Sequence, residues 1–179
     1  MTKAIIDTNV LLVANEQHQG VSGDCVAECI RRLQLMQKSG ITIIDAGYLV
    51  LSEYQNKTQT HPPKGVGDVF LKWLLQNTGN PLRVETVALT QTTKDCFREF
   101  PDPELEPFFD APDRKFAALA HAHLDKPPIW QAADCKWLDW WPALLAQGVR
   151  VEFLCSKDVC EFYSNKFPDK LMPKLPGDR

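Results

Sequence analysis

Short apolar runs alternate along this chain with segments whose apolar residues recur every three or four positions. Runs of four to eight apolar or β-branched residues are typical of buried strands, and a recurrence of three or four residues is typical of amphipathic helices. The apolar runs predict five strands, at residues 4–7, 41–45, 81–89, 128–134 and 149–154.

The periodic segments predict six helices between and after these strands. They lie at residues 21–38, 46–57, 67–77, 114–124, 135–148 and 156–167. Residues 101–113 are rich in proline and acid and are predicted to be a loop. Strands that alternate with helices imply parallel βαβ units. The sequence therefore predicts an α/β fold, a three-layer α/β/α sandwich around a central parallel sheet of about five strands.

The length of 179 residues suits one domain. We expect a single domain over residues 1–165, followed by an extended tail, residues 166–179, that is rich in proline and lysine. No apolar run approaches the roughly 20 residues that span a bilayer, and no secretory signal pattern opens the chain. These features predict a cytoplasmic protein that does not act at a membrane.

Net charge and cysteine content bear on nucleic-acid binding and on the redox state of the thiols. The net charge of −3 is not that of a protein that coats nucleic acid nonspecifically, although local basic residues can still contact phosphate. The six cysteines form no CxxC pair and are scattered through a chain long enough to bury a core. Disulfide frameworks belong mainly to small secreted domains, so we expect six reduced thiols.

Acidic residues follow several of the predicted strands. Asp7, Asp45 and Asp134 end the first, second and fourth strands, and Asp113 begins the helix that leads to the fourth. Glu53 lies about two helical turns beyond Asp45. The carboxyl ends of parallel strands share one edge of a sheet, so these side chains can converge. Converging carboxylates repel one another unless a cation binds or a proton is retained, and all-oxygen ligand sets favour Mg²⁺ or Mn²⁺.

Four short motifs resemble those of the PIN-domain ribonucleases. IIDTNVLL at residues 5–12 resembles the strand and D-[ST]-[NS] signature that opens the family, and LVLSEYQNK at residues 49–57 carries its helical glutamate. DRKFAALA at residues 113–120 resembles the family's third acidic motif, and WQAADCKW at residues 130–137 resembles the fourth. Ala132 stands where the family usually has threonine or serine.

The resemblance implies a metal-dependent endoribonuclease, a hydrolase. In that reading Asp7, Glu53, Asp113 and Asp134 bind one or two Mg²⁺ or Mn²⁺ ions whose water attacks the RNA phosphodiester. Thr8 and Asn9 would position this water or the carboxylates, and Asp110 would add an outer ligand. Three basic residues flank the acidic motifs and could contact phosphate, namely Arg114, Lys115 and Lys136. Of these, Arg114 and Lys136 are the predicted substrate-binding residues.

Simpler roles compete at several of these positions. Asp7 could cap the helix that follows it, Asp113 could be an ordinary acid of a first helical turn, and for Asp45 helix capping is the favoured interpretation. The three tryptophans in residues 137–141 favour core or dimer packing over stacking on RNA bases. The sequence leaves a homodimer and an inhibitory protein partner open.

Two other functions compete with the ribonuclease. One is a catalytically silent PIN-like module that binds RNA or protein. The other is a phosphatase of the haloacid dehalogenase type, which also opens with a strand that ends in aspartate. That family has a second aspartate two positions later, where this chain has Asn9.

Overall fold

The central element of the protein is a five-stranded parallel sheet with helices packed against it, as seen in a computed structural model that describes residues 1–178. Arg179, the last residue of the predicted tail, lies outside the described residues. The strand order is β3-β2-β1-β6-β7. The strands of this sheet are β1 (Lys3–Ile6), β2 (Ile41–Asp45), β3 (Val84–Val87), β6 (Ile129–Gln131) and β7 (Val151–Phe153). A separate antiparallel hairpin is formed by β4 (Gln91–Thr93) and β5 (Cys96–Phe97).

Helices connect the strands of the sheet and complete the three layers that the sequence predicts. Their bounds are α1 (Thr8–Ala14), α2 (Gly23–Ser39), α3 (Leu49–Lys57), α4 (Val66–Asn77), α5 (Arg114–Ala122), α6 (Trp137–Ala146) and α7 (Ser156–Lys166). Two single-turn 3₁₀ helices, Glu106–Phe108 and Ala111–Asp113, lie within the predicted loop. The predicted α/β sandwich is confirmed. No helix among residues 1–178 is both long and apolar enough to cross a bilayer.

The first strand lies at the middle of the sheet. Ala4, Ile5 and Ile6 are completely buried, as expected of an interior parallel strand with helices on both faces. From β1 the chain builds the sheet outward on one side through β2 and β3, and later on the other side through β6 and β7. The strand order therefore reverses between β1 and β6, and in open α/β sheets the crevice at such a point is the usual ligand site.

Two elements are absent from the sequence prediction. Helix α1 begins at Thr8, directly after β1, and its seven residues are too few for a clear helical period. The β4–β5 hairpin is also short and its first strand is exposed, so it has no alternating apolar pattern to reveal it. The predicted loop at residues 101–113 contains the two 3₁₀ turns and no longer element.

The expectation of six reduced thiols is wrong for one pair. Cys25, in the first turn of α2, and Cys155, directly before α7, form a disulfide across 130 residues of sequence. Helix packing brings these two side chains together, and sequence spacing alone cannot reveal such a long-range approach. The free thiols are those of Cys29, Cys96, Cys135 and Cys160.

The tryptophan-rich helix packs into the core. Trp137 and Trp140 are buried, and the ring of Phe109 stacks on Trp140 at a centroid distance of 3.9 Å. The indole N–H of Trp141 donates to the backbone carbonyl of Lys174 at 3.0 Å, so the end of the chain lies against α6. Core packing therefore accounts for Trp137 and Trp140, and they offer no exposed surface for a dimer.

Candidate metal centre

The reversal of strand order places two of the predicted acids beside each other. Asp7 follows β1 and Asp134 lies three residues beyond the end of β6, the neighbouring strand. The backbone N–H of Asp7 donates to the carbonyl of Trp130 at 3.0 Å, which fixes the end of β1 against β6. Both aspartates therefore lie at the carboxyl edge of the sheet, in the crevice where such folds bind ligands.

The two oxygens of Asp7 have different environments. Oδ1 accepts the N–H of Asn9 at 2.9 Å and so caps α1, as the simpler interpretation expects. Oδ2 is buried and has no hydrogen-bond partner within residues 1–178. Burial, and then the charges of Asp113, Asp134 and Glu53, raise the pKa of Asp7 well above its ordinary value. An unpartnered buried carboxylate oxygen is costly unless a proton or a cation satisfies it.

Three further carboxylates meet next to this position. Asp110, Asp113 and Asp134 each offer an oxygen within 4.8 Å of the others. Asp110 and Asp113 flank the second 3₁₀ turn, which directly precedes α5, so this turn holds both acids towards the end of β6. All three side chains are half-buried, which leaves the group open to an ion from solvent.

Burial and the repulsion between these carboxylates change the protonation of the group. Burial, followed by the charges of Asp134, Asp110 and Glu53, raises the pKa of Asp113 to about 7, against an ordinary value of 3.8. Burial also raises the pKa of Asp134, although the N–H and the ammonium of Lys136 act in the opposite direction. Without a cation, these groups therefore keep protons at pH values at which an exposed aspartate is ionised.

Glu53 enters the site from α3 and is held by two neighbours. The hydroxyl of Thr8 donates to Oε1 of Glu53, and the ammonium of Lys115 forms an ion pair with Oε2. Lys115 also donates to the backbone carbonyl of Pro112 and is 7% exposed. Thr8 thus positions a carboxylate, one of the two roles predicted for it. Glu53 faces the acidic group with one oxygen already paired to a buried cation.

Asn9 ties the start of α1 to the end of β6. Its side-chain amide donates to Oε1 of Gln131, and its Oδ1 accepts the N–H of Ala132 at 3.0 Å. The same Gln131 oxygen accepts the N–H of Asp134 at 3.2 Å. Asn9 and Gln131 therefore form a bridge that sets the distance between Asp7 and Asp134.

The two predicted phosphate-binding residues have internal partners. The guanidinium of Arg114 donates to the carbonyl of Phe109 at 3.1 Å and contacts the β4–β5 hairpin through Asp95 and Cys96. Lys136 forms an ion pair with Asp110 at 2.5 Å and remains about one-third exposed. Lys136 therefore lies at the edge of the acidic group, whereas Arg114 braces the loop that carries it.

Asp45 serves a different purpose from the other strand-end acids. Its two oxygens accept the N–H groups of Leu49 and Val50 at 2.8 and 2.9 Å. Both partners belong to the first turn of α3, so Asp45 caps that helix, as predicted. Two aspartates at the ends of neighbouring strands therefore have different roles. Asp7 has a free buried oxygen, and Asp45 has none.

The completed site can hold a hard divalent cation. Five carboxylates (Asp7, Glu53, Asp110, Asp113 and Asp134) face two ammonium groups (Lys115 and Lys136), which leaves a negative excess in the crevice. Oxygen-only donors of this kind suit Mg²⁺ or Mn²⁺. Asp110, Asp113 and Asp134 each offer an oxygen within 4.8 Å of the others, and Asp7 contributes the unpartnered oxygen.

Sequence reasoning missed two supporting residues. Gln131 ends β6 as a completely buried polar residue, and only its place directly before the AAD segment hints at a role. Lys115 appeared as one of several basic residues beside the acids. Its burial against Glu53 follows from the packing of α5 against α3, which no local pattern encodes.

Comparison of the chain with family models, with curated proteins and with solved structures gives no match. The resemblance to PIN-domain ribonucleases therefore stays a prediction, based on four short motifs and their order.

Proposed function

We propose that this protein is a Mg²⁺- or Mn²⁺-dependent endoribonuclease that hydrolyses phosphodiester bonds of RNA. One observation carries the proposal. The free oxygen of buried Asp7 lies at the same crevice as the Asp110, Asp113 and Asp134 oxygens, which are within 4.8 Å of one another. The four PIN-like motifs, which place acids in the same order along the chain, support RNA as the substrate.

The residues present fit the proposed ion. Asp7, Asp113 and Asp134 would hold it, with Asp110 at the edge and Glu53 turned towards it on the Thr8 side. A bound divalent ion lowers the pKa of a coordinated water and stabilises the negative charge of a phosphodiester under attack. Binding of a cation also relieves the repulsion that raises the pKa of Asp113.

The chain's own residues supply positioning and proton handling. The bridge of Asn9 and Gln131 holds Asp7 and Asp134 at a fixed separation. The pKa of Asp113 is near 7 in the absence of an ion, so binding of the ion near neutral pH displaces a proton from this carboxyl group. Lys136, at the edge of the acids, can exchange its partner Asp110 for a phosphate oxygen.

A catalytically silent RNA- or protein-binding module is the second candidate. It is favoured by the ion pairs Lys115–Glu53 and Lys136–Asp110, which already neutralise two of the five carboxylates. Structural ion pairs of this kind can stabilise an acidic group without any metal. The decisive difference is whether Asp7 and Asp134 exchange their protons for a metal ion.

An RNA cleavage assay tests the proposal. Labelled RNA is incubated with the wild type in Mn²⁺, Mg²⁺ or EDTA, and with Asp7→Asn and Asp134→Asn. Asp45→Asn is the matched control, because Asp45 also ends a strand at this edge but only caps a helix. We expect chelator-sensitive cleavage that falls by at least about 100-fold in the first two variants and is retained in the control.

Other results would favour a different function. RNA binding without cleavage in any metal would support the silent module. Uncut RNA together with hydrolysis of a phosphomonoester would support the phosphatase. Cleavage that persists in EDTA or in Asp7→Asn would contradict a mechanism that depends on this metal centre.

A further inference from the structure

A cleft of about 510 Å³ opens directly beside the acidic group. Asp134 and Asn9 form the wall that it shares with the metal centre, and the opposite wall comes from α7 and from His18 in the connection between α1 and α2. Its volume lies in the range of small-ligand sites. The ligand that occupies it would lie in contact with the metal centre.

Two aromatic rings form one end of this cleft. The rings of His18 and Phe162 lie 5.8 Å apart between centroids, with an angle of 34° between their planes. Both side chains are half-buried, so part of each ring remains accessible to a ligand. Unpaired nucleic-acid bases bind by stacking on such phenylalanine and histidine rings. Asn165, also in the lining, offers an amide that can both donate to and accept from a base edge.

Lys166, four residues after Phe162 on α7, supplies a positive charge to the same lining. It is exposed, and no carboxylate within residues 1–178 lies within 4.0 Å of its ammonium group, whereas Lys115 and Lys136 are both paired. Its charge reaches the metal centre, because it helps to hold down the pKa of Asp134. An unpaired ammonium group beside a nuclease-like site is suited to a phosphate of the substrate backbone.

The two parts of the opposite wall, α7 and the connection that carries His18, are fastened to each other. The N–H and the hydroxyl of Ser22 donate to the carboxylate of Asp158 on α7, at 2.6 and 2.8 Å. The Cys25–Cys155 disulfide joins the start of α2 to the start of α7 a few residues away. His18 and Phe162 are therefore held in place before any ligand binds, which lowers the entropy cost of binding.

We propose that this cleft binds one unpaired nucleotide of the RNA next to the bond that is cleaved. The base stacks on His18 and Phe162, and Lys166 pairs with a backbone phosphate. The choice of RNA rests on the proposed function, whereas the site itself follows from the cleft, its aromatic pair and its free ammonium group.

Binding of a fluorescein-labelled, unstructured 12-nucleotide RNA tests this site. Fluorescence anisotropy is measured in Ca²⁺ for the wild type, Phe162→Leu and Lys166→Gln, and a gel run after the titration verifies that the RNA is intact. Phe162→Tyr keeps the aromatic ring, and Lys157→Gln removes a lysine from the opposite end of the same helix. These two variants are the controls.

We expect Phe162→Leu to weaken binding about tenfold, in line with the loss of one stacked base. Lys166→Gln should weaken binding and reduce the slope of log affinity against log salt by about 0.7, the value for one lost phosphate contact on a single strand. Phe162→Tyr and Lys157→Gln should stay within about twofold of the wild type. Wild-type affinity in folded Phe162→Leu and Lys166→Gln would overturn the proposal.

The outcome separates this site from the proposed activity. If the wild type cleaves RNA in no metal but Phe162→Leu and Lys166→Gln lose affinity for RNA, the cleft is a nucleotide site and the nuclease proposal fails. If the wild type cleaves RNA and both variants bind and cleave as it does, the nuclease proposal stands and the cleft does not bind the substrate.

Discussion

Replacement of Asp113 by asparagine should make the metal-free protein more stable at pH 8, although the change removes a site residue. In the wild type, burial and then the charges of Asp134, Asp110 and Glu53 raise the pKa of Asp113 from 3.8 to about 7. Between these values the folded protein binds a proton that the unfolded chain has released. The free energy of unfolding therefore falls as pH rises from about 4 to about 7, and it stays reduced above that range.

The magnitude follows from the shift. One pKa unit corresponds to about 1.4 kcal/mol, so full ionisation of Asp113 costs at most about 4 kcal/mol at pH 8. At pH 5 most of this cost is absent because Asp113 is still protonated in the folded state. Asparagine has the same shape and no charge. The stability advantage of Asp113→Asn should therefore grow by about 2 to 3 kcal/mol between pH 5 and pH 8.

Urea unfolding in EDTA at pH 5, 6, 7 and 8 measures this difference. Asp125→Asn is a control of opposite sign, because the ammonium of Lys3 lowers the pKa of Asp125, and its removal should reduce stability at pH 8. Saturating Mn²⁺ should remove the advantage of Asp113→Asn by stabilising the wild type. An advantage that is the same at pH 5 and pH 8 would refute the raised pKa of Asp113 in the folded protein.

Three further predictions concern the surroundings of the site. Lys115→Met should lower the free energy of unfolding by about 3 kcal/mol in urea titrations, because it leaves Glu53 without its buried partner. The double variant with Glu53→Gln should recover most of that loss. A double variant that recovers nothing would contradict the pairing of Lys115 with Glu53. Reduction of the Cys25–Cys155 disulfide should lower the free energy of unfolding by about 2 to 5 kcal/mol, since the bond closes a long loop. Equal stability with and without reductant would contradict this expectation. Asp45→Ala should lower the free energy of unfolding by about 1 to 2 kcal/mol, because the first turn of α3 loses its cap. The affinity for Mn²⁺, measured by calorimetry, should stay unchanged. A large loss of affinity would show that Asp45 belongs to the metal centre.

The fold could be predicted from the sequence because its main elements carry strong local patterns. The ITIID segment is predicted at residues 41–45 and observed as β2 at Ile41–Asp45. The predicted helix at residues 21–38 is α2, displaced by two residues at its start. Helix α1 escaped prediction because only three polar residues, Asp7 to Asn9, separate its apolar residues from the run of β1, and the helix is too short to show its period.

The candidate site was predictable only in part. The placement of Asp7 and Asp134 side by side depends on where the strands end and on the order of the strands in the sheet. The sequence reveals the strand ends, but it does not reveal the strand order. The burial of Lys115 against Glu53 and the Asn9–Gln131 bridge depend on contacts between residues 62 and 122 positions apart. The Cys25–Cys155 disulfide depends on a similar approach, and the general rule about cysteine usage predicted the opposite.

A crystal structure of the protein soaked in Mn²⁺, with anomalous diffraction data, tests the metal centre most directly. We predict an anomalous peak that Asp113 and Asp134 share, within coordination distance of the free oxygen of Asp7, and loss of this peak in Asp134→Asn. Saturating Mn²⁺ that leaves no peak among these carboxylates, or a peak elsewhere on the protein only, would contradict the proposal that the acids gather to bind a divalent ion.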